Sequence, residues 1–163
     1  MQTFEPTIPE EKKEKKRNKY IYQETIGFRI TGCKIYDWAT DTYITEGKSL
    51  GRSLKPEQVR GGLSKIFQNS NGLRKDVVEI VLQRLDIIWR WAIRQNTFHM
   101  YCSSILIAYE GFHSDATPMV DVRVIDFAHT LSANNTTDEG YLFGVKSLII
   151  HLRQLLNEGE HDE

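Results

Sequence analysis

Val120-Asp121-Val122-Arg123-Val124-Ile125-Asp126-Phe127 is the stretch whose pattern decides the fold class. Side chains alternate along an extended chain, so Val120, Val122 and Val124 share one face and Asp121 and Arg123 the other, the pattern of a half-buried strand. Asp126 continues the valine face at the strand's end, where a carboxylate is expected to be partly desolvated and to need a cation or several donors. Upstream, Phe98 to Tyr109 reads as a second, long strand, with Asp115 to Pro118 as the intervening loop. Downstream, Thr136-x-x-Glu139 forms a capping box opening a final helix with Val145, Leu148, Ile149, Leu152 and Leu156 on one face.

Further back, Val77, Val81, Leu85, Ile88 and Ala92 recur at helical spacing, so Leu73 to Arg94 is the strongest helix, with Trp89 and Trp91 as packing residues. Lys55-Pro56-Glu57 starts a helix to about Phe67, which Asn69 to Gly72 breaks. Ile26 to Tyr36 is extended, a short strand follows near Thr42 to Thr45, and Gly47 and Gly51 mark turns. Thr7-Ile8-Pro9-Glu10 is a capping box for a charged helix to about Lys19. Helices interspersed with antiparallel strands give an α+β fold, an antiparallel sheet flanked by helices.

The 163 residues show no internal repeat, so residues 1–163 are expected to form a single domain. A formal net charge of −1 means that any anion site must come from local clustering of cations rather than overall basicity. No apolar run reaches the length of a membrane span, and Lys12 to Lys19 stand where a secretory signal would need apolar residues. Cys33 and Cys102 lie far apart and form no Cys-x-x-Cys pair, which suits a reducing compartment and argues against a zinc site. The expected location is intracellular, in the cytoplasm, the nucleus or both; the Asn-x-Thr triplets at Asn134 and Asn135 are then chance.

Two features carry chemistry. A strand-end aspartate before a phenylalanine is where protein kinases place the residue that holds magnesium against ATP phosphates. The same residue type also caps a turn through its own backbone, and Asp126 alone favours that simpler role. The second feature is the run Lys12, Lys13, Lys15, Lys16, Arg17, Lys19. Positions 12, 15, 16 and 19 share a helical face, and like charges at those spacings destabilise a helix by about 0.2–0.5 kcal/mol per pair unless a polyanion lies against them. Interleaved Glu10, Glu11 and Glu14 support a merely solvated face, which the run alone favours. A nucleic-acid patch fits less well, given the net charge and the lack of aromatics among the lysines. Gly-x-x-x-x-Gly-Lys-Ser/Thr, His-Glu-x-x-His and Gly-x-Ser-x-Gly are absent from the sequence. Ser103-Ser104 has no histidine placed by sequence to activate it, and His99, alternating with core residues, reads as structural.

Taken together, three separated blocks resemble the inositol polyphosphate kinase family. They are Tyr101-Cys102-Ser103-Ser104-Ile105-Leu106-Ile107-Ala108-Tyr109-Glu110-Gly111, then Val120 to Thr130, then Asp138-Glu139-Gly140-Tyr141-Leu142-Phe143-Gly144. These are similar to that family's Ser-Ser-Leu, Ile-Asp-Phe and Asp-x-Gly-Tyr-x-x-Gly signatures, in the family's order, with Ile105 where leucine is usual. Gly51-Arg52-Ser53-Leu54 and Asn71-Gly72-Leu73-Arg74-Lys75 add to the match. The short loop from Leu131 to Thr137 is most like the multikinase members.

The resemblance implies the carboxy-terminal lobe of that fold, with a helical inositol-binding segment, and a kinase using ATP and Mg2+ on an inositol polyphosphate substrate. It implies that Asp126 is the catalytic, magnesium-binding aspartate and that His129 contacts substrate. It further implies substrate contacts by Lys12, Lys15, Lys16, Lys19, Lys34 and Lys48. The family's Pro-x-x-x-Asp-x-Lys-x-Gly motif and its amino-terminal ATP lobe would precede Met1, and Gln2-Thr3-Phe4 is similar to the residues that follow that motif. The chain by itself is therefore expected to be catalytically incomplete. A different class of reading is a non-catalytic sensor or scaffold that keeps the inositol phosphate site. The Asp-x-Lys-x-Gly motif upstream would separate the two.

Overall fold

The structure, a computed structural model, describes residues 6–69, 72–111 and 117–158. Gln2-Thr3-Phe4, Ser70, Asn71 and part of the expected Asp115–Pro118 loop lie outside the described residues. Six helices and eight strands are seen among the described residues: α1 Glu10–Arg17, α2 Gln23–Ile26, β1 Cys33–Asp37, β2 Thr42–Glu46, α3 Lys48–Ser53, α4 Val59–Ile66, β3 Gln68–Asn69, β4 Gly72–Leu73, α5 Lys75–Arg94, β5 Phe98–Met100, β6 Ser104–Tyr109, β7 Val120–Ile125, β8 Thr130–Ser132 and α6 Glu139–Glu158. Every strand pairing is antiparallel: β1 with β2, β3 with β4, β5 with β8 and β6 with β7. The α+β reading holds.

The core lies where α5 packs on α6 and on the inner face of the β6–β7 ribbon. From α5 come Val77, Val78, Val81 and Leu85, from α6 Val145, Leu148, Ile149, Leu152 and Leu155, and from the ribbon Val122. The alternation read at Val120 is confirmed, since Val122 is buried while Asp121 and Arg123 are exposed and pair with each other at 2.8 Å. Phe67, at the end of α4, is fully buried and stacks on Tyr109 with ring centroids 5.8 Å apart. Arg74 is a buried cation at the start of α5; its guanidinium meets both carboxylate oxygens of Asp76 and donates to the Glu110 carbonyl at 3.2 Å, tying α5 to the end of β6. Asp76 beside it pushes its pKa up.

Several local expectations are corrected. The long strand Phe98–Tyr109 is interrupted: β5 pairs with β8 and β6 with β7, and Cys102 between them is left-handed, φ 59°. The cap of α6 is Asp138, which accepts the Tyr141 N–H at 2.9 Å, whereas Thr136 donates to the Ala133 carbonyl. Helix α1 has Pro9 at its N-cap with no side-chain cap bond, and it ends at Arg17, so Lys19 lies beyond it. Gly51 is no turn; it sits inside α3, where a Cβ would run into the Ile30 carbonyl oxygen. Trp91 is 46% exposed rather than packed. Among the described residues no helix is long and apolar enough to cross a membrane.

Candidate functional site

The two ladders that share one line of chain define the site. Met100 pairs with Thr130 and Ser104 with Ile125, so Tyr101-Cys102-Ser103 on one side faces Asp126-Phe127-Ala128-His129 on the other, both outside the regular pairing. Three residues opposite four cannot keep register, and each segment contains a left-handed residue, Cys102 at φ 59° and Asp126 at φ 64°. Such conformations are uncommon outside glycine and cost energy that the surrounding structure must supply. One backbone bond spans the gap, from the Tyr101 N–H to the His129 carbonyl at 3.2 Å, and Thr130 N–H closes the turn on the Phe127 carbonyl at 3.2 Å.

The left-handed twist at Asp126 takes its side chain out of the valine row. Its carboxylate is exposed rather than partly desolvated, and among the described residues it accepts no hydrogen bond and joins no ion pair. It does not cap the turn. A free, hard oxygen donor at a strand end suits Mg2+, which takes one or two protein carboxylates and completes its shell with water and substrate phosphates. No group of three or more His, Cys, Asp or Glu that could hold a metal is found among the described residues. His129 is exposed on the same turn.

Beside the gap lies a cleft of about 480 Å³, walled by α1 and α2 on one side and by the Tyr101–Ser104 segment and the start of α6 on the other. That size is typical of small-molecule sites. Of the predicted substrate lysines, Lys16 and Lys19 line it. The Lys16 ammonium donates to the Cys102 sulfur at 3.8 Å, which draws the cleft wall to the gap. Lys12 and Lys15 are exposed on α1 outside the cleft wall, and Lys15 pairs with Glu11 at 2.6 Å. Lys34 projects over the Tyr43 ring, 4.2 Å from its centroid, and Lys48 is exposed at the first position of α3. Neither reaches the cleft wall among the described residues.

Asp138, Tyr141 and Gly144 stand in a signature block of the sequence, but their part in assembling this wall, and Arg29 altogether, are seen only in the structure. Asp138 is buried, and its second oxygen accepts the Met100 N–H at 2.6 Å, so one carboxylate joins the start of α6 to β5. Gly27 and Gly144 meet back to back: a Cβ on Gly144 would lie 2.7 Å from the Gly27 carbonyl oxygen, so α2 can sit against α6 only without side chains there. Arg29 also lines the cleft. A lone cation between Phe28 and Ile30 in an extended run was the available signal for it. Tyr141, another lining residue, has a buried hydroxyl without a hydrogen-bond partner among the described residues, and burial pushes its pKa up to about 12.

Residues 1–153 match the family described as "Inositol polyphosphate kinase". Inositol polyphosphate multikinase of Homo sapiens is 34% identical over 123 residues, covering 76% of this chain and 30% of the human protein. Inositol hexakisphosphate kinase 3 of Mus musculus is 33% identical over 174 residues, covering 92% of this chain and 44% of that protein. A solved inositol phosphate multikinase superposes with a TM-score of 0.81 at 27% identity, covering 94% of this chain and 74% of that one. The S. cerevisiae inositol phosphate multikinase, solved with ADP and Mn2+, shares the fold with a TM-score of 0.78 at 23% identity, over 94% of this chain and 74% of that one. The chain spans less than half the length of these curated relatives, from 30% to 44%.

Proposed function

The chain belongs to the inositol polyphosphate kinase family, and on that footing we propose that it forms the substrate- and magnesium-holding part of an ATP-dependent kinase acting on inositol polyphosphate hydroxyls. The single observation that carries this reading is the pairing of an unpartnered, strand-end Asp126 with an adjoining cleft walled by Lys16 and Lys19. Phosphoryl transfer asks a protein mainly for positioning and charge neutralisation, and these are the two services on offer here. Asp126 would hold the cation, with nucleotide and substrate phosphates filling the rest of its shell. When bound, Mg2+ and ATP supply the phosphoryl group and offset its charge.

The remaining residues divide by depth. Lys16 and Lys19 would take substrate phosphates inside the cleft, while exposed Lys12, Lys15, Lys34 and Lys48 would steer the polyanion and contact its outer phosphates. His129, on the same turn as Asp126, would contact the substrate near the transferred group. Exposed lysines act over about 8–10 Å at physiological ionic strength, so their contribution should weaken as salt rises.

The test is Asp126→Asn in the ATP-competent enzyme that carries this segment, followed by transfer of labelled phosphate from ATP to inositol trisphosphate. Asparagine tolerates the left-handed backbone, so the fold should be unchanged. Turnover should fall by about 100-fold or more, as when one preorganised electrostatic partner is lost from an active site. Near-normal turnover by a folded variant refutes the assignment.

A further inference from the structure

Among the described residues, Arg29 is the cation of the cleft with a donor both buried and without a hydrogen-bond partner. It sits between α2 and β1, held by neighbours on both sides: Phe28 meets His151 edge-on with ring centroids 5.6 Å apart, and Ile30 is buried. Its Nε–H is shut off from solvent without a hydrogen-bond acceptor, and among the described residues no carboxylate pairs with the guanidinium. Burial pushes its pKa down, and the charge of Arg52 pushes it the same way. A half-buried guanidinium beside a second cation, with a donor left open, is an unfavourable arrangement in the empty protein.

The carboxylates of the cleft do not relieve it. Asp138 is committed to the Met100 and Tyr141 N–H groups, and Glu24 lies against Arg17 at 3.4 Å. Lys16, Lys19 and Arg29 therefore face the cleft as three cations with no carboxylate of its wall set against them. Surface cations can rely on water; with the Nε–H of Arg29 enclosed, the terminal amino groups of its half-buried guanidinium are the ones an anion entering the cleft would meet. Guanidinium geometry matches two oxygens of one phosphate group, which neither lysine can do.

We propose that Arg29 is an anion anchor of this cleft, binding one phosphate group of a polyphosphorylated ligand whose other phosphates rest on Lys16 and Lys19. Naming the ligand an inositol polyphosphate rests on the function proposed above; the anion anchor itself does not. It makes Arg29 a specificity-determining residue, because the ligand must carry one phosphate that reaches Arg29 while others rest on Lys16 and Lys19.

The experiment titrates inositol trisphosphate and, separately, inorganic tripolyphosphate into residues 1–163 by calorimetry, for the wild type, Arg29→Gln, Arg29→Lys and the exposed control Lys65→Gln. Arg29→Gln should weaken both ligands by about 10- to 100-fold, the range for losing a charge-assisted hydrogen bond. Arg29→Lys keeps the charge without the fork and should lose part of that, which keeps the test open if Arg29→Gln does not fold. Lys65→Gln should change neither. On saturation the Arg29 Nε–H resonance should move in the wild type. Unchanged affinity in folded Arg29→Gln or Arg29→Lys, or a still Nε–H resonance at saturation, overturns the anchor. Tripolyphosphate binding through Arg29 without inositol trisphosphate binding keeps the anchor and sinks the inositol reading. Inositol trisphosphate binding that ignores Arg29 does the reverse.

Discussion

Helix α5 buries Val77, Val78, Val81, Leu85 and Ala92, while α1 buries no residue at all. The two helices are held by different means. Helix α5 carries its own apolar stripe and would seek a core in almost any context. Helix α1 is a charged rod, kept in shape by exposed pairs such as Glu10–Arg17 at 2.8 Å and Glu11–Lys15 at 2.6 Å, which contribute little in water. What fixes it over the cleft is the chain that follows: buried Tyr20, Ile26 and Ile30, with Gly27 and Gly51 permitting backbone contact. The body of the molecule is stable because of what it buries, and the cleft wall is placed because of what it omits.

That contrast can be broken or sharpened by mutation. The largest loss is expected from Phe67→Ala in the body, about 3–5 kcal/mol for an aromatic truncation in a dry core; denaturant unfolding should show one concerted loss of the whole fold. Next comes Gly51→Ala, which forces a Cβ into the Ile30 carbonyl and should cost about 3 kcal/mol, at the upper end of overpacking. Here hydrogen exchange should rise over residues 20–53 while α5 amides stay protected. Equal loosening of α5 would show that the wall and the body are one cooperative unit.

Asp138→Ala removes the acceptor for two backbone N–H groups and should cost about 2 kcal/mol. Because that carboxylate joins α6 to β5, the variant should also weaken inositol phosphate binding without touching Lys16 or Lys19; an unchanged melting temperature would sink the bridging role. The smallest effect is Tyr141→Phe. It deletes a buried hydroxyl that has no partner and should leave stability unchanged or raise it by about 1 kcal/mol. A clear loss of stability in a thermal melt would mean that the hydroxyl is satisfied after all.

The legibility of the chain follows the same division. The apolar stripes of α5 and α6 and the valine alternation of β7 were read correctly, because burial preference recurs at the period of the element. The break at Cys102 is not legible in the sequence, since no glycine, asparagine or aspartate in Tyr101–Ser104 signals a left-handed backbone. Thr136 and Asp138 are both capping residue types two positions apart, and only the position of Met100 selects Asp138 as the cap. Asp126 was singled out by position and by family resemblance, yet its environment was misjudged, because strand alternation ends where φ turns positive. The lysine run was found at once, but which of its members face the cleft was not.

The sequence by itself therefore determined the helices with apolar stripes, the alternating strand, the antiparallel α+β class and the family. Each of these is a sum of like contributions along neighbouring residues, so local pattern suffices. Tertiary structure alone decided that Tyr101–Ser103 faces Asp126–His129, that Lys16 and Lys19 but not Lys12 or Lys15 line the cleft, and that the buried Nε–H of Arg29 has no partner among the described residues. These depend on contacts between residues tens of positions apart, such as Gly27 with Gly144 and Lys16 with Cys102. Such contacts hinge on a single missing methyl or one turn of backbone, which leaves no periodic trace in the sequence.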